Sequence, residues 1–423
     1  MAADLERQVA RAERAFAARD FSKGHALLAQ TRGLDSLRHP ATIARAREAS
    51  GRAHAAEQHF SQAQHDLEIA VRAEPTAARL AALAAVMWPT GQYAKRLALL
   101  EQAVQLAPDV AEYRAHRAEM LLVLGRWAEA WPDYERRHEV KGFDHATGCQ
   151  TLGLPRWRGE PLEGRAIIVV HEGGYGDSIN FARYGPLLKD RGAGRTILRV
   201  PKTLIPLLRP AGLFDDVVDN DAMPPVAACE VALMSLPARF GTTPDTIPWA
   251  GPYLGTGNPP VQTAVNRRPR IGFVWQGAPH NPTDGVRSIP PVALAQFLFT
   301  SPPGRWVSLQ GGSDWAKMLG PVRGFDGFVE WPQISSDWIH TAELLAGIDL
   351  LISVDTAIVH LAGAMGVPTW LLCASSNDWR WLLERSDTPW YPSLKILRMR
   401  RPGDWPGLLR QVATDLRAEY GGH

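Results

Sequence analysis

Apolar and polar positions in the first third of the chain alternate with the period of an α-helix. Residues 1 to about 140 are rich in Ala, Leu, Arg and Glu and contain almost no alternating β-branched residues. This pattern predicts an all-helical N-terminal region, residues 1–141. Gly, Pro and Trp dominate the segment that follows, which predicts an ordered linker at residues 142–164.

A repeat runs through the helical region. Two sets of positions recur after 33 or 34 residues: Leu67, Ala70 and Pro75 return as Leu100, Ala103 and Pro108, and Gly91, Tyr93 and Glu101 return as Gly125, Trp127 and Glu135. Small residues let two antiparallel helices approach, and the Pro ends the second helix of each pair. We therefore expect stacked helical hairpins, with a degenerate first one between Phe16 and Gln30. An unrelated Ala-rich bundle is the alternative.

The rest of the chain alternates short β-branched runs with helical segments. Seven strands are predicted: AIIVV from Ala166, TILRV from Thr196, EVALMSL from Glu230, RIGFVW from Arg270, WVSLQ from Trp306, DLLISV from Asp349 and TWLLC from Thr369. Alternation of this kind predicts parallel sheets. The stretch from Trp249 to Pro269 interrupts the series and predicts a link between two lobes, residues 165–258 and 259–423, with a cleft between them.

Composition narrows the possible partners. With 46 Lys and Arg against 44 Asp and Glu, the net charge is only +2, so neither nucleic acid nor an anionic membrane surface is indicated. The three cysteines are far apart and outside any CxxC motif, which indicates neither a disulfide framework nor a metal site. The N-terminus lacks the apolar core of a signal peptide, and no apolar run is long enough to span a bilayer. A cytoplasmic protein is therefore expected.

The first predicted strand of the C-terminal region ends in a Gly-rich turn, HEGGYGD. Gly174 and Gly176 are predicted to form a phosphate-binding turn at the carboxyl edge of the sheet, where open α/β folds bind ligands, and the turn delivers Asp177 to the start of a helix. Asp177 is either a helix cap or a general base above the cleft. His171 and Glu172, one turn earlier, could supply the same proton chemistry.

The second lobe contains a corresponding strand, turn and helix, SVDTAIVHLAGAMG. Asp355 and Thr356 stand at the predicted helix start and His360 one turn further on. Free amides and the positive end of the helix dipole favour a diphosphate at this place. Asp355 is predicted either to contact a sugar or ribose hydroxyl or to cap the helix.

A turn-rich loop, WQGAPHNPTDGVRSIP, follows the first strand of the second lobe. It holds a dense set of polar side chains: Gln276, His280, Asp284, Arg287 and Ser288. Arg287 is the candidate cation for a leaving diphosphate, because a fixed guanidinium forks onto phosphate oxygens. A surface salt bridge is the alternative reading of Arg287.

At these residues the chain resembles the heptosyltransferase-like glycosyltransferases, in the bacterial branch that carries tetratricopeptide repeats ahead of the catalytic lobes. Six strings carry the resemblance, in the expected order: GYGDSINFARYGPLL, SLPARFGTTPDTIP, the loop ending RSIP, the VSLQ strand end, SVDTAIVHLAGAMGVPTW and NDWRWLLERSDTPWYPSLKILRMRRPGDW. The layout is also similar to that of the protein O-linked N-acetylglucosamine transferases.

The resemblance implies a glycosyltransferase B fold, with the donor nucleotide sugar held by the second lobe and the acceptor entering from the first. It implies an inverting displacement that needs no metal or other cofactor. Asp177 falls where that family carries its catalytic aspartate, and Thr356 and His360 fall at donor contacts. Gln310, at the VSLQ strand end, is assigned to the donor side with Gln276 and Asp355.

Two departures from the family pattern keep other functions open. Relatives often carry SLQKG where this chain has SLQGG, so Gly311 removes a lysine charge, and the first lobe is short at about 95 residues. A repeat scaffold with a degenerate nucleotide-sugar-binding domain is one alternative. A nucleotide-sugar epimerase is another. A metal-dependent transferase would need a DxD motif, and Asp219, Asn220 and Asp221 spell one, although away from the expected donor site.

The expected acceptor is a protein or peptide. The first lobe is too short to enclose a large acceptor, whereas a concave stack of helical repeats can hold an extended chain. The sequence does not identify the sugar, the nucleotide or the acceptor.

Overall fold

The computed structural model describes residues 2–29, 39–248, 251–256, 269–278, 284–301, 305–311, 329–330, 332, 334, 337–374 and 378–420. His280 and most of the predicted link between the lobes lie outside these residues. The chain forms two compact units, residues 1–121 and 122–423. Each is described below by itself.

The first unit consists of helical hairpins. Its helices are α1 (Ala2–Ala17), α2 (Phe21–Ala29), α3 (Pro40–Ala56), α4 (Phe60–Ala73), α5 (Ala77–Met87), α6 (Tyr93–Leu106) and most of α7 (Ala111–Val123), which ends two residues beyond the unit boundary. A Cβ atom at Gly51 of α3 would lie 2.6 Å from Leu67 Cγ of α4. The small residue therefore lets the two helices approach, as the repeat pattern predicts.

The repeated residues occupy equivalent places in successive hairpins. Leu67 of α4 and Leu100 of α6 are each 1% exposed, so both face a core. Gly91 and Gly125 have φ values of 71° and 77°, a conformation that favours glycine, and each stands in the turn ahead of a helix. The prediction of tetratricopeptide-like hairpins is confirmed.

The second unit begins with two short helices, a 3₁₀ turn between them and the linker, and then alternates strands and helices. Its helices are α8 (Trp127–Tyr134), α9 (Phe143–Ala146), α10 (Tyr175–Phe181), α11 (Gly185–Asp190), α12 (Ile205–Leu208), α13 (Leu236–Arg239), α14 (Asp284–Arg287), α15 (Pro291–Thr300), α16 (Trp338–Ala346), α17 (Ala357–Met365) and α18 (Trp405–Tyr420). The 3₁₀ turns are Glu135–Glu139, Ala182–Tyr184, Lys202–Leu204, Leu233–Ser235 and Trp379–Trp381.

Two parallel sheets form the centre of the second unit. The strands are β1 (Ala166–Val170), β2 (Arg195–Val200), β3 (Asp216–Asp219), β4 (Cys229–Ala232), β5 (Arg270–Val274), β6 (Arg305–Ser308), β7 (Val329–Glu330), β8 (Leu350–Val354), β9 (Thr369–Cys373) and β10 (Leu394–Arg398). Their orders are β3-β2-β1-β4 and β10-β9-β8-β5-β6-β7.

Both sheets follow the doubly wound order of Rossmann-like folds. In the first sheet the chain reverses its direction of travel between β1 and β4, and in the second between β5 and β8. Ligands of such folds bind beyond the carboxyl ends of the strands at these switch points. The predicted fold class, helical hairpins followed by two Rossmann-like lobes, is therefore confirmed.

The linker packs on the first sheet. Trp157 N donates to Glu230 O at 2.8 Å, and Glu230 N donates to Pro155 O at 3.0 Å. The linker therefore pairs with the edge of β4 that is opposite β1. Helix α8 belongs to this second unit as well: Trp131 Nε1 donates to Thr242 O at 2.8 Å, and the Trp127 ring lies 5.6 Å from that of Trp390. The compact units thus divide at residue 121, twenty residues before the limit predicted from the sequence.

None of the helices in the described part of the chain is both long and apolar enough to cross a membrane.

Candidate active site

The Asp177 side chain folds back onto the backbone of the turn that follows β1. Gly174 N donates to Asp177 Oδ2 at 2.6 Å. A Cβ atom at Gly173, whose φ is +84°, would lie 2.4 Å from the same oxygen. Glycine is therefore required at position 173 for the carboxyl group to reach this position. Gly174 is the N-cap residue of α10, a position that the sequence alternative gave to Asp177, and Asp177 caps the helix from its third residue.

Asp177 also pairs with a cation from the other lobe. Its Oδ1 accepts a hydrogen bond from the Arg380 guanidinium, which comes from the 3₁₀ turn after β9. Arg380 is 2% exposed, donates to both carboxylate oxygens of Asp378 at 3.0 and 2.9 Å, and lies over the Phe181 ring at 4.7 Å. Both oxygens of Asp177 thus have a donor.

The pKa values of this pair shift in the same direction for opposite reasons. Burial raises the pKa of the Asp177 carboxyl, while the Arg380 charge and the Gly174 amide oppose the rise. Burial works against the charged form of Arg380, but the carboxylates of Asp378 and Asp177 outweigh it and raise the pKa of the guanidinium. Arg380 is therefore a fixed cation, and Asp177 is a more basic carboxylate than an exposed one.

Helices α10 and α17, one from each lobe, cross at Gly176. A Cβ atom there would lie 2.7 Å from His360 Cδ2 and 3.2 Å from Ala357 Cα. The structure places Gly176 inside α10 at this crossing and Gly174 in the turn just before the helix. The close approach brings the turn after β1 and the turn after β8 side by side. The predicted contact of these glycines with phosphate stays a prediction.

His360 is held at the same crossing. Its Nδ1 lies 3.0 Å from Tyr391 Oη, which also accepts from Asn180 Nδ2 at 2.5 Å, and its ring stacks on Trp381 at 5.2 Å. Burial, followed by the charges of Arg380 and Arg183, holds the pKa of His360 well below its ordinary value. His360 is consequently a neutral, oriented imidazole.

The turn after β8 contains polar side chains that can still form hydrogen bonds with a ligand. Thr356 is the N-cap residue of α17, but its side chain makes no capping hydrogen bond, and the buried Oγ1 has no hydrogen-bond partner among the described residues. Burial and the neighbouring Asp378 carboxylate raise the pKa of Asp355 to about 6, against the opposing charges of Arg287 and Arg380. The turn is therefore suited to a ligand with hydroxyl and anionic groups.

Arg287 and the two predicted glutamines lie at the carboxyl ends of β5 and β6. Arg287 Nε donates to Asp284 Oδ1 at 3.2 Å, and the Arg287 side chain keeps 19% exposure. Gln310 Oε1 accepts from the backbone amides of Trp275 and Gln276 at 3.2 and 3.0 Å, so this side chain clamps the two strand ends together. The partly buried Gln276 stands at this clamp, and Gly311 is exposed beside it.

His171 and Glu172 are held beneath the turn after β1. His171 Nδ1 lies 2.8 Å from Ser178 Oγ, and burial lowers the pKa of its imidazole. Glu172 is completely buried and forms a two-bond ion pair with Arg137, at 2.8 and 2.9 Å. A carboxylate bound in this way has a structural role and is poorly placed to exchange protons.

Sequence reasoning did not find Arg380, Asp378, Asn180 and Tyr391. Three of the four lie in or beside the Trp-rich string NDWRWLLERSDTPWYP that supports the family resemblance, but a local pattern cannot show that Arg380 reaches across to the first lobe. Arg183 was missed as well. It is fully buried in an aromatic cage with Tyr253 and donates to the Trp390 carbonyl at 2.9 Å.

The DxD trio lies at the edge of the first sheet. Asp219 ends the edge strand β3, Asp221 N donates to Asp219 Oδ1 at 3.2 Å, and Asn220 N donates to Val200 O at 3.0 Å. These bonds close a turn two strands away from β1. Within the described ranges, the clusters whose ligand atoms converge as a metal requires are elsewhere and do not include this trio.

No family model matches the chain. It is 26% identical over 347 residues to Protein FlbA of Caulobacter vibrioides, an alignment that covers 73% of this chain and 55% of that protein. The chain thus spans about half the length of this curated relative.

Two solved structures are similar to parts or all of the chain. An O-GlcNAc transferase from Thermobaculum terrenum is 15% identical, with 99% of this chain and 91% of that chain covered and a TM-score of 0.32. A family 9 glycosyl transferase from Veillonella parvula is 14% identical, with 61% and 98% covered and a TM-score of 0.41.

Proposed function

We propose that the chain is a glycosyltransferase that moves a sugar from a nucleotide-diphosphate sugar to an acceptor hydroxyl. The observation that carries the proposal is the crossing of α10 and α17 at Gly176, which brings Asp177 and the Asp355–Thr356 turn together at the lobe junction. Each turn follows a strand that borders the switch point of its sheet. A base from one lobe and an anion site from the other are what such a transfer needs.

The donor diphosphate binds at the start of α17. Thr356 Oγ1, which has no hydrogen-bond partner within the described part of the chain, donates to a phosphate oxygen, and the amide end of the nine-residue helix favours the negative charge. Arg287 stabilises the leaving diphosphate from the β5 side. Asp355, whose pKa is about 6, accepts from or donates to a sugar or ribose hydroxyl, and neutral His360 lies near the ribose.

The displacement uses only the nucleotide sugar and the acceptor as reactants. The acceptor oxygen attacks the anomeric carbon from the face opposite the diphosphate, its proton passes to Asp177, and the bond between the anomeric carbon and the diphosphate oxygen breaks. The products are the inverted glycoside and a nucleoside diphosphate. Arg287, Thr356 and the helix amides stabilise the departing charge, so the proposed mechanism requires no metal.

Asp177 must first lose part of its present pairing. Both oxygens have donors in this structure, from Gly174 and Arg380, so the acceptor hydroxyl has to reach a remaining lone pair or displace Arg380. The same observation favours one alternative, a nucleotide-sugar-binding scaffold in which Asp177 only joins the two lobes. Turnover separates these two functions, because both bind the donor.

We further propose that the helical repeats select a protein or peptide acceptor. Concave repeat stacks bind extended chains. The test is removal of residues 1–121, the first compact unit, because a cut at residue 140 would also delete Arg137 and leave the buried Glu172 unpaired. A folded truncated chain should lose transfer to its native acceptor and keep nucleotide-sugar binding. Unchanged kcat/KM for that acceptor would rule out the docking role.

The function itself is tested with a panel of nucleotide sugars. The stabilising donor is identified by thermal shift, since a ligand at 100 times its Kd stabilises a protein by about 2.7 kcal/mol. Release of nucleoside diphosphate from that donor is then measured with and without EDTA. Release that survives EDTA supports the proposal. Release that strictly needs a divalent ion contradicts the proposed mechanism and favours the Asp219–Asp221 alternative, and binding without any release favours the scaffold.

A further inference from the structure

The first unit contains a histidine cluster that the transfer reaction does not use. It comprises His25 of α2, His54 of α3 and Glu57, the residue that follows α3. One ligand atom from each lies within 4.8 Å of the other two. His25 Nε2 is 3.1 Å and His54 Nδ1 is 3.8 Å from the same oxygen, Glu57 Oε2. All three side chains are partly buried.

The outer nitrogen of His25 has polar neighbours of its own. His25 Nδ1 lies 3.5 Å from Ser50 Oγ, which donates to Asp66 Oδ2 at 2.6 Å, and Arg47 holds Asp66 at 2.7 Å. With the Ser50 hydroxyl turned to Asp66, its oxygen can accept a proton from Nδ1 of His25. This tautomer leaves the Nε2 lone pair directed at the Glu57 carboxylate, an arrangement that needs a cation or a proton between them.

His54 places a second imidazole nitrogen near the same carboxylate oxygen. Its Nδ1 is buried and has no hydrogen-bond partner among the described residues, although buried polar atoms normally have one. The His25 and His54 rings are stacked with centroids 4.1 Å apart, so two protonated rings would repel each other.

We infer that His25 Nε2, His54 Nδ1 and Glu57 Oε2 bind a late first-row divalent cation, with zinc as the first candidate. Imidazole nitrogens with one carboxylate suit Zn²⁺, Co²⁺, Ni²⁺ or Cu²⁺, whereas Ca²⁺ and Mg²⁺ prefer oxygen ligands. Ligand atoms about 2.0–2.2 Å from a tetrahedral zinc ion are about 3.3 Å from each other. The observed separations of 3.1 and 3.8 Å lie on either side of that value.

The fourth ligand is a water molecule or His59. His59 Nδ1 is 3.9 Å from Glu57 Oε2, and its side chain is 56% exposed, so it can turn toward the ion. The bound ion would link α2 to the turn between α3 and α4. It is therefore a structural cation that fixes the first hairpins against each other, independent of sugar transfer.

Zinc titration of the tag-free full chain, followed by calorimetry, tests this site, and Co²⁺ absorption gives a second readout. His25→Ala and the nearly isosteric Glu57→Gln should each weaken binding by at least about 100-fold, since even outer-shell changes cost 10-fold to 100-fold. His65→Ala is the matched control, because His65 lines the same 470 Å³ cavity but is not a ligand. This control should bind as the wild type does.

A second variant separates this site from the other cluster of potential ligands in the described residues, His138, Asp144 and Cys149 of the second unit. Cys149→Ser should leave the titration unchanged. Three results would overturn the inference: no zinc binding by the wild type, equal binding by His25→Ala, or a loss of binding confined to Cys149→Ser. Circular dichroism of each variant establishes that it is folded before the titration.

Discussion

The turns after β1 and β8 occupy corresponding places in the two lobes and differ in how their polar groups are satisfied. In the first lobe both Asp177 oxygens have donors, from Gly174 and Arg380. In the second lobe the buried Thr356 hydroxyl has no partner among the described residues, and the pKa of Asp355 is raised to about 6. The Asp177 carboxylate of the first turn thus has hydrogen-bond donors within the protein, whereas the second turn can still form hydrogen bonds with a ligand.

The difference assigns separate tasks to the two lobes. Buried polar groups without partners cost free energy, so their presence at a helix start indicates a place where a ligand completes the hydrogen bonds. The Asp177 carboxylate is instead held in position before any ligand arrives. In the proposed transfer the donor side therefore gains hydrogen bonds on binding, whereas the acceptor side must exchange one.

The largest expected effect is on stability, when the donor to Asp177 is removed. Arg380→Ala leaves Asp177 and Asp378 without their guanidinium, and removal of one partner of a buried ion pair costs about 3–5 kcal/mol. Urea unfolding measures the loss. The control is Arg385→Ala, whose pair with Asp387 is exposed and should be worth about 0–1 kcal/mol. Similar losses in both variants would show that the first turn is not held by Arg380.

The next effect is on donor binding. Arg287→Ala should weaken binding of a nucleotide sugar by about 10-fold to 100-fold, since a hydrogen bond to a charged group contributes about 1.5–3 kcal/mol. Calorimetry measures the affinity. Arg195→Ala, which removes an exposed pair with Asp216 in the first sheet, is the control and should bind normally. Equal affinities for wild type and Arg287→Ala would place the diphosphate elsewhere.

The raised pKa of Asp355 predicts a pH dependence of the same affinity. Below a pH of about 6 this carboxyl is neutral and does not repel the diphosphate, so affinity should rise by up to about tenfold as the pH falls from 8 to 5. A nucleotide sugar is used because its doubly substituted diphosphate does not titrate in this range. Asp355→Asn should abolish the dependence. If the variant keeps the wild-type pH profile, another group is responsible.

The raised pKa of Asp355 also makes the stability of the folded chain depend on pH. The folded-state pKa of Asp355 lies above its ordinary value of 3.8, so the folded chain holds this proton more tightly than the unfolded chain. The stability that the protonated group contributes is complete below a pH of about 3.8 and is lost as the pH rises through about 6. Relative to Asp355→Asn, the wild type should therefore lose stability across this window.

The smallest expected effect is that of removing the Thr356 hydroxyl, which should lower donor affinity without lowering stability. Thr356→Val keeps the side-chain shape and removes a hydroxyl that has no partner among the residues the structure describes, so the ligand-free protein should be as stable as the wild type or slightly more so. Donor affinity should fall by about fivefold, the equivalent of roughly 1 kcal/mol. Ser178→Ala is the contrast, because its hydroxyl already pairs with His171 and its removal should reduce stability. A loss of stability in Thr356→Val would mean that the second turn is already satisfied.

The sequence predicted the parts of the fold that depend on local patterns. Strong β-branched runs marked β1, β2 and β8, and the 33-residue recurrence of Leu67 as Leu100 marked the hairpins. Strand β3 was missed because its sequence, DVVD, has two charged ends and lies at a sheet edge. Strand β10 was missed because LKILR places its two charged residues three positions apart, a spacing that reads equally well as part of a helix.

The site was predictable only as far as the carboxyl ends of the strands. Asp177 and Thr356 could be placed there because each follows a buried strand and begins a helix. Arg380 could not, because its contact with Asp177 joins residues 203 positions apart. The packing of Gly176 against His360 depends on the same docking of the two lobes, which no local pattern encodes.

The central claim is that Asp177 acts as the base of a glycosyl transfer, and the most direct measurement is turnover by Asp177→Asn. Nucleoside diphosphate release and donor affinity are measured on the same samples of wild type, Asp177→Asn and Asp221→Asn, the last as a control from the DxD trio. Turnover should fall by about 100-fold to 10,000-fold in Asp177→Asn alone, with donor affinity nearly unchanged. Wild-type turnover in Asp177→Asn would contradict the claim and leave Asp177 as a helix cap and a link between the lobes.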